Sequence, residues 1–147
     1  MRFEGTFNVK APKEKVFSMM LDPNQISQCM PDLQKLEVKS PDDFTATVKA
    51  GVSFIKGDFT LHFTTVEKTP STHAKLAARG NGIGSTVDME MVTDLEDAQG
   101  GGTTMKWAAD AKIGGRIASV GQRLLSGQAE KIIKNLFDCL QGKLENA

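Results

Sequence analysis

Phe44-Thr45-Ala46-Thr47-Val48-Lys49-Ala50-Gly51-Val52 alternates along its length, with Phe44, Ala46, Val48, Ala50 and Val52 on one side and Thr45, Thr47 and Lys49 on the other. Period-two alternation marks a half-buried antiparallel strand. The same reading gives inward sets of Ala74, Leu76 and Ala78, then Val87, Met89 and Met91, then Met105, Trp107, Ala109 and Ala111. So much Ala and flexible Met is thin filling for a fully packed interior. It suits a curved sheet closing on an apolar hollow, and points to a binder of an apolar small molecule before an enzyme.

Around that stretch, strands are expected near 33–39, 43–52, 55–67, 71–80, 85–96 and 103–113. Pro41-Asp42-Asp43, Pro70-Ser71 and Gly100-Gly101-Gly102 supply turns at hairpin spacing, so the sheet reads as an antiparallel meander. A first strand over 2–10 carries Phe3, Gly5, Phe7 and Val9 on one side. Ala11-Pro12 breaks it, and Lys13 to Leu21 reads as a short amphipathic helix with Val16, Phe17, Met20 and Leu21. Asp22 is a cap for a second short helix from Pro23 to about Cys29. The chain closes on a long helix from Gly115 to Leu144, with Ile117, Val120, Leu124, Gln128, Ile132, Leu136, Leu140 and Leu144 mostly four apart. Fours drift around a helix of 3.6 residues per turn, so the stripe rotates along it. Gly121 and Gly127 inside it mark a close approach, a bend or room for a ligand, against plain packing on strand backbone. The end at Phe137, Leu140 and Leu144 either packs at home or offers a surface for docking or homodimerisation.

The 147 residues read as one domain over 1–147, with 39% hydrophobic and 24% charged residues. Eighteen basic residues balance eighteen acidic ones, which argues against nucleic acid as a partner. Cys29 and Cys139 make neither metal-ligand spacing nor a disulfide framework, so two unpaired thiols in a reduced, cytosolic setting are favoured over a bridge. Arg2-Phe3-Glu4 opens a strand rather than a signal peptide, and no apolar run has the length of a membrane span.

The search for chemistry returns mostly surface. Alternation puts His62 and His73 on the outward face, no Tyr is present, and a Ser/His/Asp unit would need one of those imidazoles turned inward. Cys29, at the C-terminal end of a short helix, reads as a small buried hydrophobe rather than a nucleophile. Gly80-Asn81-Gly82-Ile83-Gly84 lacks the context of a phosphate loop and reads as a hairpin connection, with a place at a cavity rim as the functional option. Asp88, Glu90 and Asp94 spread along a solvated face rather than converge on a metal. No catalytic or metal-ligating residue is assigned. The candidate ligand lining is Phe59, Leu61, Phe63, Met89, Met91, Met105 and Trp107 from the strands, with Ile117, Gly121, Leu124 and Gln128 from the helix. Each alone reads as core; as a group they fit a hollow.

The element order (strand, two short helices, six hairpin-linked strands, long helix) resembles the START-like helix-grip fold of the SRPBCC superfamily. That fold is α+β, with a curved antiparallel sheet of about seven strands around a long C-terminal helix. Phe3-Glu4-Gly5, Ala11-Pro12, Val16, Asp22-Pro23, Cys29-Met30-Pro31 and Leu36-Glu37 sharpen the likeness. So do Val48-Lys49-Ala50-Gly51-Val52, Lys56-Gly57-Asp58-Phe59, Gly80-Asn81-Gly82, Ala109-Asp110-Ala111, Gly114-Gly115, and Ile117 through Gly121, Arg123-Leu124 and Gln128. Together they resemble the CoxG family of carbon monoxide dehydrogenase subunits over nearly the whole chain. The resemblance implies a non-catalytic accessory protein of a molybdenum-containing carbon monoxide dehydrogenase-type enzyme or its maturation factors. It implies a bound quinone or other lipid, with no covalent cofactor, and a cytoplasmic location with at most peripheral contact at the inner face of the membrane. Some relatives carry a C-terminal extension directed at the membrane; this chain ends at Ala147, so constitutive anchoring is not expected. Trp107 and the Phe rings would stack on the quinone, and Gln122, Arg123 or Gln128 would reach a carbonyl. The alternatives are an assembly factor docking through its outer surface and a polyketide cyclase- or hydrolase-like enzyme.

Overall fold

The computed structural model describes residues 1–30, 32–52 and 55–145. The Val52 side chain, Pro31 of the Cys29-Met30-Pro31 motif, and Ala147 lie outside the described residues. The strands are β1 (Arg2–Val9), β2 (Leu33–Ser40), β3 (Asp43–Val52), β4 (Ile55–Thr69), β5 (His73–Gly82), β6 (Ser85–Asp97) and β7 (Thr103–Gly115). They form one curved antiparallel sheet in the order β1-β7-β6-β5-β4-β3-β2, so β2 to β7 is a meander and β1 closes on its far edge. This is the helix-grip arrangement that the alternation and element order imply.

Between β1 and β2 lie α1 (Lys13–Met20), α2 (Pro23–Ile26) and a 3-10 turn, Ser27–Cys29. Asp22 caps α2 by accepting from the Asn24 backbone N–H at 3.0 Å, with Pro23 in the first turn. A buried bond from Thr103 Oγ1 to the Ala11 carbonyl, 2.7 Å, fixes the exit from β1 against the start of β7.

The last helix begins later than its sequence periodicity suggests. β7 stays paired to β6 through Ser85–Gly115, so Gly115 is still strand. At φ +83° Gly115 turns the chain, and a Cβ there would lie 2.2 Å from the Gly84 carbonyl oxygen, so only glycine fits. A 3-10 turn (Ile117–Val120) follows, its start fixed by the Ile117 N–H donating to Ser85 Oγ at 2.9 Å. Gly121 at φ +98° then breaks the path, and α3 runs from Gln122 to Glu145. Of the roles open to Gly121, the bend is the one realised; a Cβ at Gly121 or Gly127 would meet nothing within 4 Å, so neither marks a close approach.

Three groups of buried side chains hold the layers together. One joins Phe7, Val9, Val16, Leu95 and Met105 to Leu140 and Leu144 of α3. A second joins Val48, Ile55 and Phe59 to Ile117 and Leu125, and a third is built on Phe44, Ala46, Phe63 and Ala78. Leu140 and Leu144 are thus core of this chain, so at these two positions the helix end packs at home.

The expectation of two unpaired thiols is overturned. Cys29 and Cys139 form a disulfide with their Cα atoms 5.7 Å apart, across 110 positions of sequence. Cysteine spacing carries no trace of it, because the pairing arises only when the 3-10 turn after α2 lies on the C-terminal half of α3. The inference to a reducing compartment therefore has no footing in the cysteines. Cys29 is nonetheless buried, as expected of it.

Candidate ligand-binding site

Strand register shows which side chains share the inner face. Ala109 pairs with Met91 and Met91 with Leu76, while Ala111 pairs with Met89 and Met89 with Ala78. Ala78 and Ala111 are buried, yet Leu76, Met89, Met91 and Ala109 stay half-buried although they point at the helix layer. Leu125, Ala129, Ile133, Leu136, Leu140 and Leu144 form one stripe of α3, buried at Leu125 and at Leu140–Leu144 but only half-buried between. Among the described residues, Leu76, Ala109, Ala129 and Ile133 are not among those packed against the three core groups. The middle of the helix stripe and the centre of the inner sheet face are therefore only half-buried. This half-buried apolar strip is the candidate for the hollow expected from the Ala- and Met-rich strands.

Its ends are closed by different chemistry. At one end Phe137 of α3 stacks on Phe7 at a centroid distance of 4.8 Å and meets Trp107 at 5.3 Å, tilted by 48°. The Trp107 indole lies over Gly5, where a Cβ would sit 3.0 Å from the ring. At the other end Ile117 and Leu125 close on Phe59. Along one flank Ile26 and Met30, from α2 and the turn after it, pack against the Phe44–Phe63 group together with Leu61, Met89 and Met91.

The predicted lining divides accordingly. Leu61, Met89, Met91 and Trp107 face inward and remain partly open, whereas Phe59, Phe63, Met105 and Ile117 are buried, Met105 completely, and serve as walls. Gln128 is half-buried. Gly121 is exposed, and Leu124 is 54% exposed. The break at Gly121 resets the helix phase by about one residue, or roughly 100°, and the inward position passes to Leu125. Counting back from Leu140 at helical spacing instead of forward from Ile117 finds Leu136, which the forward reading shares, and Ile133, Ala129 and Leu125, which it missed.

Polar groups around the hollow are few and already engaged. Ser126 Oγ lies 3.5 Å from Met1 Sδ, and the Met1 amino group donates to the Ala111 carbonyl at 2.6 Å. The inward positions of β5–β7 and of the α3 stripe carry no ionisable side chain, and the buried hydroxyls of Ser85 and Thr103 are engaged with the Ile117 N–H and the Ala11 carbonyl. Both histidines stand on the outward face. His62 bonds Asp43 at 2.6 Å, and His73 is held between Asp94 at 2.7 Å and Glu67 at 3.1 Å. Those two carboxylates, Asp94 foremost, raise the His73 pKa above its ordinary value. Asp88 and Glu90 share that face with ion-pair partners Arg79 and Lys75. Two depressions of about 600 and 380 Å³ are bordered largely by such charged outward residues, and of the predicted lining Met89 alone touches either. Among the described residues no cluster has the makings of a metal site, and no helix is long and apolar enough to cross a membrane.

The model of the CoxG family, the G-type subunits of carbon monoxide dehydrogenase, matches residues 5–145. The chain belongs to this family. No curated protein matches the CoxG-family chain significantly. Among solved structures it is similar to a conserved protein from Geobacillus kaustophilus, at 28% identity and TM-score 0.90, covering 98% of this chain and 95% of that one. It also resembles a START superfamily protein from Mycobacterium smegmatis (12% identity, TM-score 0.73, 97% and 96% covered). The Zhui aromatase/cyclase from Streptomyces sp. R1128 is a third (14% identity, TM-score 0.69, 98% and 93% covered). At those low identities the last two speak for the fold alone.

Proposed function

We propose that this CoxG-family chain is a non-catalytic carrier that holds a quinone or other isoprenoid-like lipid between its inner sheet face and α3. In that role it serves a molybdenum-containing carbon monoxide dehydrogenase-type enzyme. The observation that carries the proposal is the half-buried apolar strip of Leu76, Met91 and Ala109 on the inner sheet face, together with half-buried Ala129 and Ile133 on the α3 stripe. Apolar walls with few polar groups are what a ring-and-tail ligand requires. Trp107 and Phe137 supply faces for the ring, and Gln128 is the helix amide best placed to meet a carbonyl, since Gln122 and Arg123 are exposed. The reading puts the protein on the cytoplasmic side, in peripheral contact with the membrane in which such a lipid dissolves.

Trp107 is the only tryptophan and no tyrosine is present, so intrinsic fluorescence reports on the hollow directly. Titration with prenylated menaquinone and ubiquinone analogues is expected to quench it saturably and to raise the melting temperature in step. Absence of both effects would shift the weight to an assembly factor acting through its outer surface.

A further inference from the structure

The flank of the hollow formed by Asp22–Met30 is attached unlike the rest of the molecule. Its backbone hydrogen bonds are local: Gln25 and Ile26 N–H to the Asp22 carbonyl, Met30 N–H to the Ser27 carbonyl, and Asp22 N–H to Met19 of the preceding helix. Among the described residues no backbone bond joins this segment to the sheet or to α3. Ile26 and Met30 rest on the core groups that border the hollow. Among the described residues, two side-chain links tie the segment to α3: an exposed hydrogen bond from Lys143 Nζ to Gln28 Oε1, and the Cys29–Cys139 disulfide. At the far side Asp32, at φ +49°, turns the chain into β2.

A cover held by apolar contact, one surface hydrogen bond and one covalent bond is governed by the covalent bond. We infer that Cys29–Cys139 is a reversible redox latch on the hollow. Oxidised, it keeps Asp22–Met30 seated on α3 and slows exchange of the bound apolar molecule; reduced, it lets the cover lift. This rests on the carrier reading and adds its regulation. The step requires a dithiol. One of its thiolates attacks Sγ of Cys139, the less buried of the pair, forming a mixed disulfide and freeing Cys29 as thiolate. The second thiol of the reductant then displaces Cys139. The chain's S–S bond is replaced by two thiols, the dithiol becomes a disulfide, and two electrons and two protons have moved to the protein.

The test compares the full chain, air-oxidised and dithiothreitol-reduced, using N-phenyl-1-naphthylamine as a fluorescent probe of the hollow. Thiol titration verifies each state. Reduction is expected to speed probe release about tenfold. It is also expected to raise amide hydrogen exchange over residues 22–30 while leaving β3–β7 protected. Cys29→Ser combined with Cys139→Ser should match the reduced wild type in both readouts. Equal release rates and equal exchange over 22–30 in the two states would overturn the latch. So would a rise in exchange spread evenly over the sheet, which would make the bond a general brace, or free thiols in the air-oxidised protein. If the probe binds neither state, the carrier reading of the hollow fails, and exchange over 22–30 decides the latch on its own.

Discussion

Gly5 shows how one missing side chain shapes the site. The Trp107 indole lies across the β1 backbone because nothing projects from Gly5, and a Cβ there would stand 3.0 Å from ring carbon Cζ2. Gly5→Val should push the indole toward the hollow, shift its emission and cost about 1–3 kcal/mol in urea unfolding. An unchanged spectrum would show that the ring is not where its contacts put it. On the opposite face His73 sits between Asp94 and Glu67, which hold its pKa above the ordinary 6.5. A pKa raised by folding stabilises the protein fully below the unfolded value, and that contribution is lost as pH rises through the raised value. Proton NMR should find His73 titrating above 6.5, and Asp94→Asn should lower its midpoint more than Glu67→Gln does. A wild-type midpoint at or below 6.5 would remove the basis for this. The outward placing of both histidines was legible from alternation alone. Leu125, Ala129 and Ile133 were not, because a helix stripe depends on where the helix starts, and Gly121 hides that start.

At the scale of elements, the strands were readable almost to the residue, since a period of two changes face at every step and turn residues bracket each run. The error in α3 came from β7, whose pairing to β6 continues through Gly114-Gly115 with no apolar signal to mark it. The observed phase separates two neighbours sharply. Leu125→Ala should cost about 2–5 kcal/mol and Leu124→Ala no more than about 0.5 kcal/mol in equilibrium denaturation. Comparable costs at both positions would mean that the helix is rotated from its described phase. The Cys29–Cys139 bond was illegible for a different reason. It joins elements that meet only in three dimensions, 110 positions apart in sequence.

For the whole molecule, the balance of burial against association decides what kind of ligand suits the hollow. A quinone head alone, covering about 200 Å² of apolar surface like a large aromatic side chain, contributes about 5 kcal/mol. That only reaches the lower end of the ~4–15 kcal/mol that association costs. Each buried methylene of a tail adds about 0.8 kcal/mol, so the tail carries the affinity. Menadione should therefore bind far more weakly than a prenylated menaquinone analogue; equal affinities would place the tail outside the protein. The small and flexible residues of the inner sheet face were legible in the sequence, whereas the depth and boundaries of the candidate site were not, because they depend on how far α3 stands from the sheet. The claim that the half-buried strip is the binding site is tested most directly by isothermal titration of the prenylated analogue into wild type and Ala109→Phe. One saturable site in wild type, lost or weakened at least about tenfold in a variant of unchanged melting temperature, is the predicted result. Equal binding by the folded variant would contradict it and place the ligand elsewhere on the molecule.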